Sequence, residues 1–596
     1  MHCHNTIAQR RTDLMQRARA WCDGCFEPRE NLLHHTHPNP DRNGFVVAQW
    51  TLEYAITLLE TATGEADIER ANAILARVLE FQVTDKSHPR YGNFIWMSHW
   101  SEPLDPNAVS FMTPNLTYIW RRHREKLSAD VCTALEASLP LCAEGLRRHA
   151  APFHYTNIKA LNTLSYFLLA DVLDDKGLEG TARFEWKHWM GHITHFGIAE
   201  YNSPTYSPVL LFALEQLWQY GPEDMKPQFE RVLEFCYFEF AVRYHAPSGM
   251  IGGALSRAYP ADVTTGQGLA AIVTHLQWGE PLEELPSVFA VNWLLAEYSV
   301  PAWIHRLALE KPLPLEMKAD CYDSERIRRT DYFAPEYSLG SQDGYYGNQE
   351  VPLFITVKSE SKRRGVWLSS TAPGRAKLSS QQHGNQVAGY YYFDVQMLRD
   401  WLRGAPDAAE TPLELVLNLG DREAVPQIHL DGRSWPGEAC VLAPQSTLVV
   451  HIGSALVGLR VWSEGASSPC LQWEDDELRL RVPIGGASGI VDGDAPRGMN
   501  FYVRVEGASE STPEELHCHL ERVEHGVTHS VPAQGRAFTT SDGDRTFHAQ
   551  AAPPPLLHDS PLLQIRPNDL LRWLRGEATA SLPELLESAR QGGNQM

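Results

Sequence analysis

The spacing of apolar residues changes once along this 596-residue chain, and that change limits the fold more than any other feature. From Phe45 to Pro301 apolar residues recur three and four apart, as in Val46, Val47, Trp50, Tyr54 and Leu58 and again in Ile68, Ala71, Leu75, Val78 and Leu79, the signature of amphipathic helices. Further helical stretches are expected over Val131–Leu146, Ile158–Leu173, Pro208–Tyr220, Met225–Val242, Thr265–Leu276 and Ser287–Tyr298. Connections such as His88-Pro89 and Pro247-Ser248-Gly249 separate them. Their number and even spacing predict helical hairpins packed in a ring or superhelix. No sequence repeat of fixed period is present, which argues against a solenoid of near-identical units.

Beyond Lys311 the period becomes two, in short β-branched and aromatic runs: Val351–Val357, Val366–Ser370, Gly389–Val395, Leu413–Leu417, Leu448–Ile452, Leu456–Trp462, Leu478–Val482 and Phe501–Val505. That pattern predicts a β-sandwich. Ala551-Ala-Pro-Pro-Pro555 reads as a stiff linker, and Asn568–Arg575 and Pro583–Arg590 as short terminal helices. The expected fold is therefore a multi-domain α and β chain. An N-terminal (α/α) toroid of helical hairpins spans 1–310, an antiparallel β-sandwich 311–550, and a linker with short helices 551–596. A cleft between the two large domains is the expected ligand site.

Charge narrows the partners. Lys and Arg total 52 against 74 Asp and Glu, and a net charge of −22 argues against nucleic acid or an anionic membrane surface as a partner. The first residues, MHCHNTIAQRRTD, lack the apolar run of a secretory signal, and no stretch reaches the roughly 18 apolar residues of a membrane span, so a cytoplasmic location is expected. Ten scattered cysteines do not form a disulfide framework and read mostly as small core residues. Cys22-Asp-Gly-Cys25, with Cys3, His2 or His4, lacks the second pair of a convincing zinc site. His34-His35-Thr-His37 with Asn39 reads as a solvated loop. No metal and no other cofactor is expected.

Two polar loops stand immediately before two strongly apolar helices. One is His195-Phe-Gly-Ile-Ala-Glu200-Tyr-Asn202-Ser-Pro-Thr-Tyr206, the other Pro152-Phe-His154-Tyr155-Thr-Asn157. In a ring of hairpins, loops on one rim converge on a central cleft.

With the helical-then-β layout, the pattern G-x-x-E-x-x-S-P-x-Y at Gly197, Glu200, Ser203, Pro204 and Tyr206 resembles the heparinase II/III-like and alginate-lyase-like polysaccharide lyases. The resemblance implies an (α/α) toroid with an antiparallel β-sandwich and a catalytic tyrosine at Tyr206. It also implies an upstream Asn or His at Asn157 or His154, and a β-domain histidine at His383 within Gln381-Gln382-His383-Gly384-Asn385. Departures from the family pattern are Phe196 in place of an Asp, Ser207 in place of a His, and Gln381 and Asn385 in place of a His and an Asp. A metal at that β motif is accordingly not expected.

The implied reaction is β-elimination on a uronic-acid-containing oligo- or polysaccharide: a base removes the C5 proton, an acid protonates the C4 oxygen, and donors neutralise the carboxylate. Tyr206, with an ordinary pKa of about 10, needs a nearby cation to act as base. Arg257, in the Gly-rich loop Gly249-Met-Ile-Gly-Gly253-Ala-Leu-Ser256-Arg257-Ala-Tyr259, is the candidate for that role and for bidentate capture of the substrate carboxylate. A structural ion pair of Arg257 with Asp262 or Glu200 is the competing assignment. Asn157 and His154 are expected to supply donors, or Asn157 to cap its helix. Glu200, Asn202, Tyr259, Trp96, His99 and Trp100 are candidate substrate contacts, the tryptophans by stacking on sugar rings or else as core anchors. Three alternatives remain at this stage: a glycoside hydrolase using Glu200 with Asp105 or Asp262, a non-catalytic glycan-binding protein, and a uronate epimerase. Homo-oligomerisation is left open.

Overall fold

The computed structural model describes residues 6–36, 43–283, 294–322, 326–360, 364–423, 427–443, 446–463, 468–493, 496–508, 512–525, 528–530, 537–542, 545–550 and 567–593, with 285, 291 and 425. The helical part comprises α1 (Ile7–Cys25), α2 (Trp50–Thr61), α3 (Glu65–Leu79), α4 (Ala108–His123), α5 (Ala129–Arg148), α6 (Thr156–Leu173), α7 (Lys176–Phe196), α8 (Tyr206–Tyr220), α9 (Lys226–Arg243), α10 (Pro260–Thr264), α11 (Leu269–Trp278) and α12 (Ala302–Glu310). Small sheets interrupt it: β1 (Phe26–Glu27), β2 (Leu32–His35) and β3 (Gly44–Val46), then β4 (Tyr244–His245) with β5 (Met250–Ile251).

Sequence decides which helix lies inside. α2, α6 and α8 are buried on nearly every side, from Thr51 to Leu59, Thr156 to Ala170 and Pro208 to Leu217, whereas α3 and α5 bury only one stripe. A helix that is apolar all round is stable only when covered all round. The inner helices α2, α4, α6, α8 and α11 accordingly pack side by side, with α3, α5, α7, α9 and α12 outside. α1 packs against both α2 and α11 and closes the ring, completing an (α/α) toroid. Each fully buried Leu on these helices, such as Leu52, Leu164 or Leu214, contributes about 1.5–3 kcal/mol through removal from water.

The strands beyond α12 that build the two large sheets are β6 (Leu315–Tyr322), β7 (Arg326–Phe333), β8 (Tyr337–Asp343), β9 (Leu353–Val357), β10 (Gly365–Ser370), β11 (Ala376–His383), β12 (Gln386–Phe393), β13 (Pro412–Asp421), β14 (Gln427–Leu430), β15 (Arg433–Ser434), β16 (Cys440–Val441), β17 (Thr447–Ile452), β18 (Ala455–Ser463), β19 (Cys470–Glu474), β20 (Glu477–Gly486) and β21 (Arg497–Gly507). They form a nine-stranded antiparallel sheet ordered β16-β19-β20-β13-β10-β9-β8-β7-β6 and a seven-stranded one ordered β11-β12-β21-β18-β17-β14-β15. Leu339, Ile355, Leu368, Leu415 and Leu480 of the first meet Leu378, Val387, Val450, Leu459 and Phe501 of the second in one core, so the two sheets are a sandwich.

Several elements depart from the sequence reading. The helix expected over Ser287–Tyr298 is not formed at 295–298, residues 286–290 and 292–293 lying outside the described ones, and helix resumes only after Pro301 as α12. α1 was not expected, because its arginines hide its packing face. Arg10 Nε donates to Leu276 O at 3.0 Å, Arg11 Nη2 to Tyr298 O at 2.8 Å and Arg17 Nη1 to Leu282 O at 3.0 Å, so charged side chains tie α1 to carbonyls on and after α11. β6, β7 and β8 escaped notice for a similar reason: Arg326, Arg328 and Arg329 break up the apolar alternation. The linker at 551–555 lies outside the described residues, and a helix at Pro567–Leu574 packs back on α7 and α9. Among the described residues, no helix is long and apolar enough to cross a membrane.

Candidate functional site

Consecutive helices alternate in direction, so all inner helices begin on the same rim of the ring. The first residues of α2, α4, α6, α8 and α11, or those just before them, line one cleft of about 510 Å³. It holds Gln49 and Trp50, Asp105, Asn107 and Phe111, Tyr155 and Asn157, Thr205 and Tyr206, and Gln267 to Leu269. Arg257, Tyr259 and Asp262 enter from the Gly-rich loop and α10, Trp96 and His35 from flanking segments, and Asn348 and Gln349 from the β domain. The cleft therefore lies between the domains. Helix N-termini carry partial positive charge, and their convergence favours an anionic ligand in a chain whose net charge is −22.

The G-x-x-E-x-x-S-P-x-Y stretch is held by specific bonds. Gly197 ends α7 at φ +74°, a conformation that favours glycine. Ser203 Oγ accepts from Tyr206 N at 2.9 Å, capping α8, and donates to Arg257 O at 2.6 Å. Asn202, at φ +43°, donates through Nδ2 to Gly252 O at 2.7 Å and Ala254 O at 3.0 Å, and Ser256 Oγ donates to Tyr201 O at 2.6 Å. These bonds sew the 200–206 loop to the 249–257 loop and fix Tyr206 relative to Arg257.

Arg257 is the hub. Its guanidinium carbon lies 3.6 Å from the Tyr206 ring centroid and 5.7 Å from that of Tyr155. Its Nη1 donates to Glu200 Oε1 at 2.7 Å and its Nε to Gln349 Oε1 at 2.7 Å. Glu200, 2% exposed, also accepts from the backbone N of Asn157 at 2.8 Å and from its Nδ2 at 2.6 Å. The carboxylate thus caps α6 and pairs with Arg257 at once.

Tyr206 donates to or accepts from the Tyr259 hydroxyl at 2.8 Å. Burial pushes the Tyr206 hydroxyl well above its ordinary pKa, the Arg257 charge works in the opposite direction, and Tyr259 and Glu200 add to the rise. Tyr259, 40% exposed, carries the hydrogen bond of this half-buried phenol toward solvent. Tyr155 Oη accepts from Asn107 Nδ2 at 3.3 Å, and Asn107 Oδ1 bonds His149 Nε2 at 2.9 Å. Burial raises Tyr155, with Arg257 again opposing. Asp262 is buried, accepts from Thr205 Oγ1 at 2.5 Å and from Tyr259 N at 2.9 Å, and is pushed up to about 6 by burial.

The structure brings together Tyr206, Asn157, Arg257, Tyr259 and Trp96 at the cleft and leaves others outside it. His154 is exposed on the loop before α6 and does not line the cleft. His383 ends β11 at the hairpin with β12, roughly 23 Å along the strand from Ala376 at about 3.3 Å per residue, while Gly374 at the other end abuts Asn348 of the cleft. His99 and Trp100 pack edge to face at 6.4 Å away from the cleft lining, and Asn202 serves the loop junction described above. Three roles also change. Asn157 turns its amide donors to Glu200 and so offers none to a carboxylate; its Oδ1 is buried without a partner. Arg257 has two of its donors engaged and is not a free bidentate fork. Glu200 is an ion-paired helix cap with no free edge for general acid work, so a hydrolase using Glu200 does not fit.

Sequence reasoning missed Trp50, Gln49, Asn107, Tyr155, Asn348 and Gln349, and set His35 aside. His35 packs edge to face on Trp50 at 4.5 Å and lines the cleft, while His37 and Asn39 lie outside the described residues, as do His2, Cys3 and His4. Gln49 carried a findable signal only in three dimensions: φ +63° on a buried non-glycine at the cleft, a strain of about 1–3 kcal/mol. Among the described residues no cluster of His, Cys, Asp and Glu forms a metal site, and burial of Cys22 raises its thiol well above the ordinary range.

A family model described as a domain of unknown function (DUF8769) matches residues 12–298. No curated protein matches the sequence. Among solved structures, a Paenibacillus xanthan lyase is similar at 10% identity with a TM-score of 0.46 over 92% of this chain, which spans 61% of that lyase. Heparan sulfate lyase HepC from Pedobacter heparinus is similar at 9% identity with a TM-score of 0.33, over 92% of this chain and 95% of the other.

Proposed function

We propose that the protein is a lyase that cleaves a uronic-acid-containing oligo- or polysaccharide by β-elimination at the rim cleft. The observation that carries this reading is the stack of Arg257 on Tyr206 with Tyr206 bonded to Tyr259. A cation over the ring face favours the phenolate. Tyr259 gives the proton of Tyr206 a route to water. The phenolate oxygen of Tyr206 then takes the C5 proton; the C4=C5 double bond forms as the C4–O bond breaks, and the same hydroxyl returns the proton to the leaving oxygen. The converging helix N-termini and Arg257 offset the charge that grows on the substrate carboxylate. Trp50, Trp96, Phe111 and Tyr155 supply apolar faces for sugar rings.

The test is the ultraviolet absorbance of an unsaturated uronate when the protein meets a panel of uronic-acid oligosaccharides and polymers. Absorbance lost in Tyr206→Phe establishes the reading. A second reading rests on Asp262, a buried cleft carboxyl held at about 6, with Asp105 across the same cleft. Such a pair suits glycoside hydrolysis. New reducing ends without that absorbance, lost in Asp262→Asn, select it.

A further inference from the structure

Apart from the rim cleft, a separate cavity of about 30 Å³ lies between the toroid and the β domain. Its walls include Tyr201, Leu210, Glu239, Arg243, Asp320 and Arg329. Arg243 and Arg329 are 1% and 3% exposed. Arg243 spends Nε on Asp331 Oδ2 at 3.2 Å and Nη1 on Glu239 Oε2 at 2.7 Å. Its Nη2, and both Nε and Nη1 of Arg329, are buried with no acceptor in the protein. Arg329 lies instead over the Tyr201 ring, 4.2 Å from its centroid.

Two buried guanidiniums with orphaned donors at one cavity are costly unless an acceptor fills it. Glu239 and Asp331 pair with Arg243 through its Nη1 and Nε, and Asp320 pairs with Arg326, so none of these bonds satisfies the orphaned donors. The volume exceeds the 10–15 Å³ or so that one water needs and excludes a sugar or a phosphate ester. We propose that this cavity binds a small monovalent inorganic anion of the chloride class, held by Arg243 and Arg329 and acting as an interdomain staple behind α8. Burial and the neighbouring Arg243 charge push Arg329 below its ordinary range, a penalty that an anion relieves.

The experiment compares thermal unfolding of the whole chain in sodium chloride, sodium bromide and sodium gluconate at fixed ionic strength, and locates bromide by anomalous scattering in crystals. The expected result is a saturable rise in Tm of several degrees with either halide over gluconate, and a bromide peak between Arg243 and Arg329. In Arg329→Met, which removes two of the three orphaned donors while keeping the side-chain stem, the halide-dependent rise disappears. Identical melting in all three salts with no bromide peak overturns the proposal and leaves water as the acceptor. The crystal result stands even if Arg329→Met fails to fold.

Discussion

Arg257 is shared between Tyr206 and Glu200: its guanidinium stacks on the first at 3.6 Å and donates to the second at 2.7 Å. The positive charge that favours a Tyr206 phenolate is therefore partly neutralised by a buried carboxylate. Desolvation holds Tyr206 well above its ordinary pKa despite the cation at its face, and Tyr259 and Glu200 add to the rise.

Activity is expected to climb with pH as a result. If the ionised phenol is the base, kcat/KM rises about tenfold per pH unit below its pKa, with no plateau before pH 9 or so. Tyr206→Phe lowers turnover about 10²–10⁴-fold while leaving the thermal transition near that of the parent. A pH-independent rate between 6 and 9 sinks the phenolate role.

Glu200→Gln is expected to act on the fold first. It leaves the partly buried Arg257 without its carboxylate and weakens the cap of α6, at a cost of about 1–3 kcal/mol in denaturant unfolding. Arg257→Met in the same background restores much of that stability, because both charges are then gone. Failure of that rescue contradicts the ion-pair role.

Asp262 carries a pH signature of opposite sign to a salt-bridged carboxylate. Its folded pKa of about 6 exceeds the unfolded value of 3.8, so its contribution to stability is fully present below pH 3.8 and lost as pH rises through 6. Relative to the parent, Asp262→Asn should gain about 3 kcal/mol in unfolding free energy between pH 4 and 7. Parallel stability curves would show that Asp262 titrates normally.

Trp50→Ala removes an aromatic face from the cleft without touching Tyr206 or Arg257. Loss of about 0.5–1.5 kcal/mol of stacking raises KM roughly 2–10-fold with kcat little changed. A fall in kcat at constant KM would place Trp50 in the chemistry instead.

Gly340 of β8 lies against the backbone of Gly253, where a Cβ would overlap Gly253 and Ala254. Gly340→Ala is expected to push the 249–257 loop off the β domain, lowering Tm by several degrees and activity with it. Calorimetry beside the rate assay checks both, and an unchanged Tm removes this contact from the site's support.

Apolar periodicity alone determined the order of a helical ring and a β-sandwich, because a helix buried all round and a strand buried on one face each leave a local pattern in the chain. The loop patterns also placed Tyr206 and Asn157 in view, since polar residues before apolar helices lie at helix mouths, and the Gly-rich 249–259 loop did the same for Arg257. Tertiary structure decided everything that depends on where a side chain points. It turned Asn157 and Glu200 toward each other, stacked Arg257 on Tyr206, left His154 in solvent and carried His383 to the far end of β11. It also brought Trp50, Asn107, Tyr155, Asn348 and Gln349 to one cleft from positions scattered between 50 and 349. The physical reason is that periodicity is read over a few residues, whereas ring closure and interdomain contact join groups hundreds of residues apart, whose charges and hydrogen bonds are settled only once they meet.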